Sequence, residues 1–269
     1  MILEVVILGC GSSAGVPRAD GDWGACDPAD PRNRRSRCSL MVRRRSQEGP
    51  ETTLIVDASP EFRLQTNAAS VKRLDALLLT HDHADQCHGI DDIRAFAITQ
   101  RARIPCWMDV SSAASLSERF GYIFRGQGQY PPIADLHSVP MAGGAWSIDG
   151  PSGLIPVVAF DQDHGDIRSF GYRFGPVAYS SDLIDLPEGS FAALDGVEVW
   201  IVDALRYRPH PTHAHVDKTL SWIERVKPKR AILTNLHIDL DYAELAARLP
   251  AGVEPAYDGL SLEFDLAAP

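Results

Sequence analysis

The sequence predicts a layered α/β protein. Short apolar, β-rich runs recur along the chain, helical stretches separate them, and polar motifs directly follow many of these runs. At 269 residues and 45% hydrophobic content, the chain can bury a large core. Since no repeat, low-complexity tract or Pro/Gly/Ser-rich linker divides it, we expect a single domain over residues 1–269.

The predicted elements alternate in a way that suits packed layers. Strands are expected at residues 2–8, 39–42, 53–56, 76–79, 154–160, 170–174, 177–179, 197–202 and 231–233. Helices are expected near residues 113–122, 217–226 and 242–249. The loops that follow the strands can bring catalytic groups together while the sheet holds them in place.

Composition argues against several classes of partner. Lys and Arg total 26 against 36 Asp and Glu, a formal charge of -10, which disfavours broad attraction to nucleic acid or anionic membranes. The N-terminal apolar run is short and interrupted by Glu4, so it is a poor signal peptide, and no stretch approaches the roughly 20 apolar residues that cross a bilayer. The five cysteines form no C-x-x-C pair. We therefore expect a cytoplasmic protein without a membrane partner.

A locally basic segment stands out in this acidic chain. Arginines occur at positions 32, 34, 35, 37, 43, 44 and 45. Most such runs are solvated surface, and contact with a phosphate is the alternative, because arginine suits bidentate phosphate binding.

The strongest chemical signal is the segment 80–89, which directly follows the apolar run 76–79. It reads T-H-D-H-A-D-Q-C-H-G. His81 and His83 are separated by one residue and can grip one divalent ion through imidazole nitrogens, and Asp85 can reach a neighbouring ion with a carboxylate oxygen. A lone histidine is usually a surface or hydrogen-bonded residue, but that explanation does not suit this cluster.

Three distant segments offer further metal ligands, each at or after a strand-like run. They contain His164, Asp182, and the pair Asn235 and His237. Together with the first cluster they provide enough ligands for two ions roughly 3.5–4 Å apart, an arrangement suited to hydrolysis by an activated water.

In the order of these motifs the chain resembles the metallo-β-lactamase superfamily, whose signature is H-x-H-x-D-H followed by a His, a bridging Asp and a last His. The resemblance extends to the segments 9–17 and 57–60 and covers nearly the whole chain. It is strongest to the branch that contains ribonuclease Z and the cyclic phosphodiesterase of the carbon-phosphorus lyase pathway. It implies a four-layer αββα sandwich with the site on one rim.

The resemblance also implies the roles of the ligands. The first ion would be held by His81, His83 and His164, Asp182 would bridge, and Asp85 and His237 would belong to the second ion. Zinc and manganese are the expected metals. The related cyclic phosphodiesterase also has a cysteine-rich structural zinc site, which we do not expect because the corresponding loop contains only Cys26.

Two departures from the signature concern the second ion. Gln86 stands where the signature has its fourth histidine, so we expect weaker binding there unless His88 swings in. Asn235 occupies the usual strand-end position of the last histidine. We favour His237 as that ligand, because imidazole binds transition metals better than an amide does.

Other groups have expected roles around the metals. The resemblance places His213 at the catalytic-histidine position, where it would protonate the leaving group, with Asp85 as a second catalytic residue. His215 would cap the following helix or touch substrate. Asp57 would either orient a metal-bound histidine or cap a turn.

The predicted function is therefore a phosphodiesterase that acts on a small cyclic phosphate or a nucleotide-like phosphodiester. Thioester or lactone hydrolysis with the same metal chemistry is one alternative. A noncatalytic metal- or nucleotide-binding protein, in which Gln86 marks a decayed site, is another. The expected partner is a small phosphate-containing substrate, nucleic acid is disfavoured, and a homodimer is left open.

Overall fold

The computed structural model of the chain describes residues 1–46, 49–140 and 144–266. In these segments the chain forms two sheets of seven strands each. In chain order the strands are β1 (Ile2–Gly9), β2 (Ser39–Arg45), β3 (Thr52–Val56), β4 (Ala76–Leu78), β5 (Ile104–Met108), β6 (Ala134–Ser138), β7 (Ala145–Ile148), β8 (Ile155–His164), β9 (Ile167–Phe174), β10 (Val177–Ser180), β11 (Val199–Asp203), β12 (Arg230–Thr234), β13 (Val253–Pro255) and β14 (Ser261–Asp265).

Eight α-helices connect and cover these strands in the described segments. They are α1 (Phe62–Ala68), α2 (Ala84–Cys87), α3 (Arg94–Gln100), α4 (Val110–Arg119), α5 (Gly121–Arg125), α6 (Glu188–Phe191), α7 (Val216–Val226) and α8 (Tyr242–Arg248), with 3-10 turns at Pro31–Asn33, Ile90–Ile93 and Ala192–Leu194. Within the same segments no helix has the length and apolar character needed to cross a bilayer.

The first sheet has the strand order β14-β1-β2-β3-β4-β5-β6, and the second has the order β13-β12-β11-β10-β9-β8-β7. Strands β3 to β6 are parallel to one another, and so are strands β10 to β13. Parallel neighbours end at the same edge of a sheet, so the loops that leave them meet there.

Three apolar clusters define the layers. Between the two sheets, buried residues such as Ile7, Leu40 and Tyr172 form a shared core. A second cluster packs helices on the outer face of the first sheet, and a third, which contains Trp200 and Trp222, does so on the second sheet. This confirms the αββα sandwich. The shared core favours a single domain over residues 1–269, which stays a prediction.

The predicted strands are all present, with ends shifted by a few residues. The helix predicted near 113–122 is two helices, α4 and α5, which meet at Phe120. Asp109 sets the start of α4, because its carboxylate accepts hydrogen bonds from the backbone N–H groups of Ser111 and Ser112. Strands β5, β6, β7, β13 and β14 have no counterpart in the sequence prediction.

Candidate metal centre

Four side chains from three strand ends converge at one rim of the sandwich. They are His81, His83, His164 and Asp182, whose ligand atoms all lie within 4.8 Å of one another. The three imidazole rings are arranged edge to face, with centroids 4.5 to 5.2 Å apart. Asp182 Oδ2 lies 3.7 Å from His81 Nε2 and 3.8 Å from His164 Nε2. The sequence prediction places these four residues together, and so does the structure.

A chain of hydrogen bonds from the neighbouring strand end orients His81. Asp57, just after β3, accepts hydrogen bonds from the backbone N–H and the hydroxyl of Thr80. The hydroxyl of Thr80 lies 3.0 Å from His81 Nδ1. Nε2 of His81 is therefore turned to the centre, where it is buried and has no hydrogen-bond partner among the described residues. Of the two predicted roles of Asp57, orientation of a ligand histidine fits this geometry.

His164, the last residue of β8, is fixed in a similar way. Its Nδ1 lies 2.8 Å from the backbone carbonyl of Thr212, which accepts the ring N–H and leaves Nε2 to the centre. Nε2 of His164 in turn lies 3.3 Å from His83 Nδ1. Burial lowers the pKa of His81, and the neighbouring charges of His164 and His83 lower it further. A neutral imidazole is the form that binds a metal.

Asp182 follows β10 with a positive φ of 55°, an uncommon conformation for a residue with a side chain. Its Oδ1 accepts hydrogen bonds from the Ser181 hydroxyl at 2.8 Å and from Asn235 Nδ2 at 3.0 Å. Asn235 follows β12 and also has a positive φ, of 60°. The backbone therefore adopts strained conformations where it presents these two side chains, a common feature of functional sites.

A second group adjoins the first and shares Asp182 with it. It contains Asp203, the last residue of β11, and His213. His213 Nδ1 lies 2.9 Å from Asp203 Oδ2, and the His213 ring lies 4.7 Å from that of His164. Burial lowers the pKa of His213, but the nearby charge of Asp203 outweighs this effect, so the pKa is raised to about 9. Sequence reasoning missed Asp203, although it ends an apolar run as Asp182 does.

The remaining residues of the first motif differ in their surroundings. Asp85 lies in the first turn of α2. Its pKa is raised, first by burial and then by the negative charge of Asp182. Gln86 is fully buried, and neither atom of its amide has a hydrogen-bond partner among the described residues. His88 is exposed and packs edge-on against Phe120, outside the four-ligand group.

His237 also lies outside the four-ligand group. Its Nε2 is 2.8 Å from the guanidinium of Arg18, and its Nδ1 is 3.1 Å from Asp239. Asn235 instead reaches Asp182, in the strand-end position where the signature has its last histidine. His215 precedes α7, but its side chain makes no capping hydrogen bond.

The basic segment is largely occupied by protein contacts. Arg35 is buried and donates to the carbonyls of His237 and Leu240, so it supports the loop that carries His237. Arg37 pairs with Glu61, and the arginines of β2 are likewise bound: Arg43, for example, pairs with two glutamates. These contacts favour a structural role over phosphate binding.

The four-ligand group suits a divalent metal ion such as zinc. Three imidazole nitrogens and one carboxylate oxygen are ligands that zinc prefers, and two of the histidines have their other nitrogen hydrogen-bonded. The unpartnered Nε2 of His81 is the buried polar atom that such an ion would satisfy. The arrangement therefore fits a site for a divalent metal ion.

Comparison with known proteins agrees with this fold and site. The family described as the Beta-lactamase superfamily domain matches residues 52–238, so the chain belongs to that superfamily. The solved structure of a new diphosphatase from the PhnP family is 33% identical to this chain, with a TM-score of 0.87, and the match covers 98% of each chain. The chain is therefore an enzyme of the metal-dependent hydrolase class, near the branch that the sequence indicated.

More distant relatives share the fold. The Zn²⁺-bound PqqB of Methylobacterium extorquens is 18% identical with a TM-score of 0.71, covering 98% of this chain and all of that one. The short form of human tRNase Z is 14% identical with a TM-score of 0.65, and the match covers 96% of this chain and 98% of that one. A Porphyromonas gingivalis protein named octanoyltransferase is 28% identical over 98% of this chain, which spans about half (52%) of that relative.

Proposed function

We propose that this chain is a metal-dependent phosphodiesterase acting on a small cyclic phosphate or a nucleotide-like phosphodiester. The observation that carries the proposal is His213, an imidazole held by a buried carboxylate directly beside the ligand cluster. His81, His83, His164 and Asp182 would hold the metal ion, which would supply activation of a water for attack and stabilisation of charge on the phosphoryl oxygens. The protein must then supply a proton to the departing oxygen.

His213 is suited to that task. Its Nδ1–H is donated to Asp203, which fixes the tautomer and the ring orientation and leaves Nε2 to face the substrate. Because the pKa of His213 is raised to about 9, the imidazole carries its proton at neutral pH. A protonated group beside the reacting centre acts as a general acid.

A cationic rim beside His213 supports an anionic substrate. Arg18 contacts His237 at 2.8 Å. The ring of His210 lies 5.2 Å from that of His213. The pKa of His210 is lowered by burial and then by the positive charges of His213 and Arg206, so these two charges act on the same part of the surface. Positive charge near a cleft raises the local concentration of a phosphate ester, even in a protein of net negative charge. The name of the diphosphatase relative also supports phosphate chemistry.

The test is a hydrolysis screen of the metal-loaded protein, with zinc and manganese tried separately. Substrates are bis-aryl phosphate, cyclic nucleotides, 5-phosphoribosyl 1,2-cyclic phosphate and a diphosphate ester. We expect turnover of at least one phosphodiester, and a loss of about 10²–10⁴-fold in kcat for His213→Ala with metal content retained. His88→Ala, a histidine outside the cluster, is the matched control and keeps full activity. If His213→Ala loses its metal, His213 is a ligand and not the acid.

Hydrolysis of a thioester is the second candidate, favoured by the name of the octanoyltransferase relative. That name belongs to a protein of which this chain spans about half, and the same metal chemistry can act on a carbonyl. An octanoyl thioester and a lactone are therefore included in the screen. Turnover of these alone would replace the phosphodiesterase proposal, and tight metal binding without any turnover would indicate a binding protein.

A further inference from the structure

We propose that this chain binds a single catalytic ion, because the side-chain amides of Gln86 and Asn235 replace the two imidazoles that would hold a second one. The inference rests on the proposed function, because it takes the His81, His83, His164 and Asp182 group as the site of the one ion. It departs from the two ions that the signature implies.

The amide nitrogen of Asn235 lies within hydrogen-bond distance of two carboxylates, Asp182 and Asp203, and beside the ring of His213. Asp182, Asp203 and His213 offer ligand atoms within 4.8 Å of one another. Asn235 Nδ2 lies 3.0 Å from Asp182 Oδ1, 3.3 Å from Asp203 Oδ2 and 3.1 Å from His213 Nδ1. Since an amide nitrogen donates hydrogen bonds and has no available lone pair, Asn235 in this orientation binds the carboxylates and cannot serve as a metal ligand.

The hydrogen bonds fix the direction in which this amide points. Its N–H groups face two carboxylates, which can only accept when ionised, whereas its oxygen faces the thiol of Cys38 at 3.9 Å. Flipping the amide would direct its oxygen at the carboxylates of Asp182 and Asp203. Asp182 Oδ2 lies near His81 and His164, whereas its Oδ1 is already bonded to Asn235 and Ser181.

The second imidazole of the signature is also replaced by an amide, at Gln86. This amide is buried without a hydrogen-bond partner among the described residues, and a neutral amide oxygen is a weak ligand for a transition metal. Neither nearby histidine substitutes for the lost imidazoles. His88 packs against Phe120, and His237 is bound to Arg18. Asp85 is the one remaining anionic candidate of the expected second set.

Metal stoichiometry tests the inference directly. The metal-free chain is titrated calorimetrically with zinc, and manganese-loaded protein is examined by electron paramagnetic resonance and elemental analysis after gel filtration. We expect saturation at one ion per chain and a manganese signal without coupling between ions. Two ions per chain would overturn the inference and leave the proposed function intact. No bound ion together with no hydrolysis would defeat both.

Variants test whether the two amides are the cause. Gln86→His alone still binds one ion, because Asn235 keeps its place. The double variant Gln86→His with Asn235→His gains a second event, about tenfold or more weaker than the first. Circular dichroism checks that each variant is folded, and His88→Ala is the control that stays at one ion. A second ion in Gln86→His alone, or one ion in the folded double variant, would overturn the role of Asn235.

Discussion

The substitution Asp203→Asn tests the most important positioning contact of the proposed site. Asp203 Oδ2 accepts hydrogen bonds from the backbone N–H of Leu183 at 3.1 Å, from His213 at 2.9 Å and from Asn235 at 3.3 Å. An asparagine of nearly the same shape keeps an acceptor oxygen there. It removes the negative charge that holds the proton on His213.

The size of the effect follows from the pKa of His213. A rise from 6.5 to about 9 corresponds to about 3 kcal/mol in favour of the protonated form. The groups that act on this imidazole are Asp203, Asp182 and Asp85 by charge, with the rings of His164 and His210 in contact. Without the charge of Asp203, the lowering effect of burial is less opposed, so the pKa of His213 falls and a smaller fraction of the imidazole is protonated at pH 7.5. Poorer orientation of the ring brings the expected loss in kcat to about 10²–10⁴-fold.

The assay is the pH profile of kcat/KM for bis-aryl phosphate hydrolysis, with metal content measured on the same samples. In Asp203→Asn the basic limb moves to lower pH while the metal content stays at the wild-type value. Asp217→Asn, on the exposed side of α7, is the control and leaves both unchanged. An unshifted basic limb with kcat within about twofold of wild type would refute the role of Asp203 as the partner of a general acid.

Three further predictions concern the metal and the scaffold. His81→Ala removes a buried ligand, so we expect metal content and hydrolysis to be lost together while circular dichroism keeps the sheet signal; full metal occupancy with retained turnover would reject the assignment. Burial raises the pKa of Asp258 to about 6, so the contribution of this residue to the free energy of unfolding falls by up to about 3 kcal/mol as pH rises from about 4 to about 6. The free energy of unfolding, measured by urea titration and plotted against pH, should therefore differ in slope between the wild type and Asp258→Asn across that window. Parallel curves would contradict this prediction. Gly89→Ala would place a Cβ 2.0 Å from the carbonyl oxygen of Ser59, so we expect the free energy of unfolding in urea to fall by about 1–3 kcal/mol. A Cβ at Gly189 meets nothing within 4 Å, so Gly189→Ala is the control. Equal urea midpoints for the two variants would disprove the clash.

The strands that could be predicted from sequence are those with continuous apolar runs. Strands β1, β3 and β11 are buried along most of their length, and their sequences are accordingly runs of mostly apolar residues. Strands such as β6 and β7 lie at the outer edges of the two sheets and are largely exposed, so their apolar signal is weak. Tertiary pairing, which the local sequence does not record, makes them strands.

The ligands could be predicted in part, for a similar reason. His81 and His83 are separated by a single residue, and this spacing indicates a metal site. The last ligand position could not be decided, because the contact of His237 with Arg18 joins residues 219 positions apart. Asp203 could have been proposed as a site residue, because it stands at the end of an apolar run. A single aspartate after a strand is not specific to a functional site, however, so this signal alone does not identify it.

The register of three parallel strands explains why these distant residues meet. Ser180 of β10 pairs with Val202 of β11, and Asp203 pairs with Thr234 of β12. The residues that follow these pairs are therefore delivered to one edge of the sheet, in the order Asp182, Asp203 and Asn235. Asp182 and Asn235 both have a positive φ, and the amide of Asn235 donates to the carboxylates of Asp182 and Asp203. Because backbone pairing sets these positions, an amide at position 235 meets both carboxylates whether or not an ion is bound. In the proposed single-ion site, position 235 therefore meets Asp182 and Asp203 with an amide that donates hydrogen bonds, where a histidine would offer an imidazole ligand.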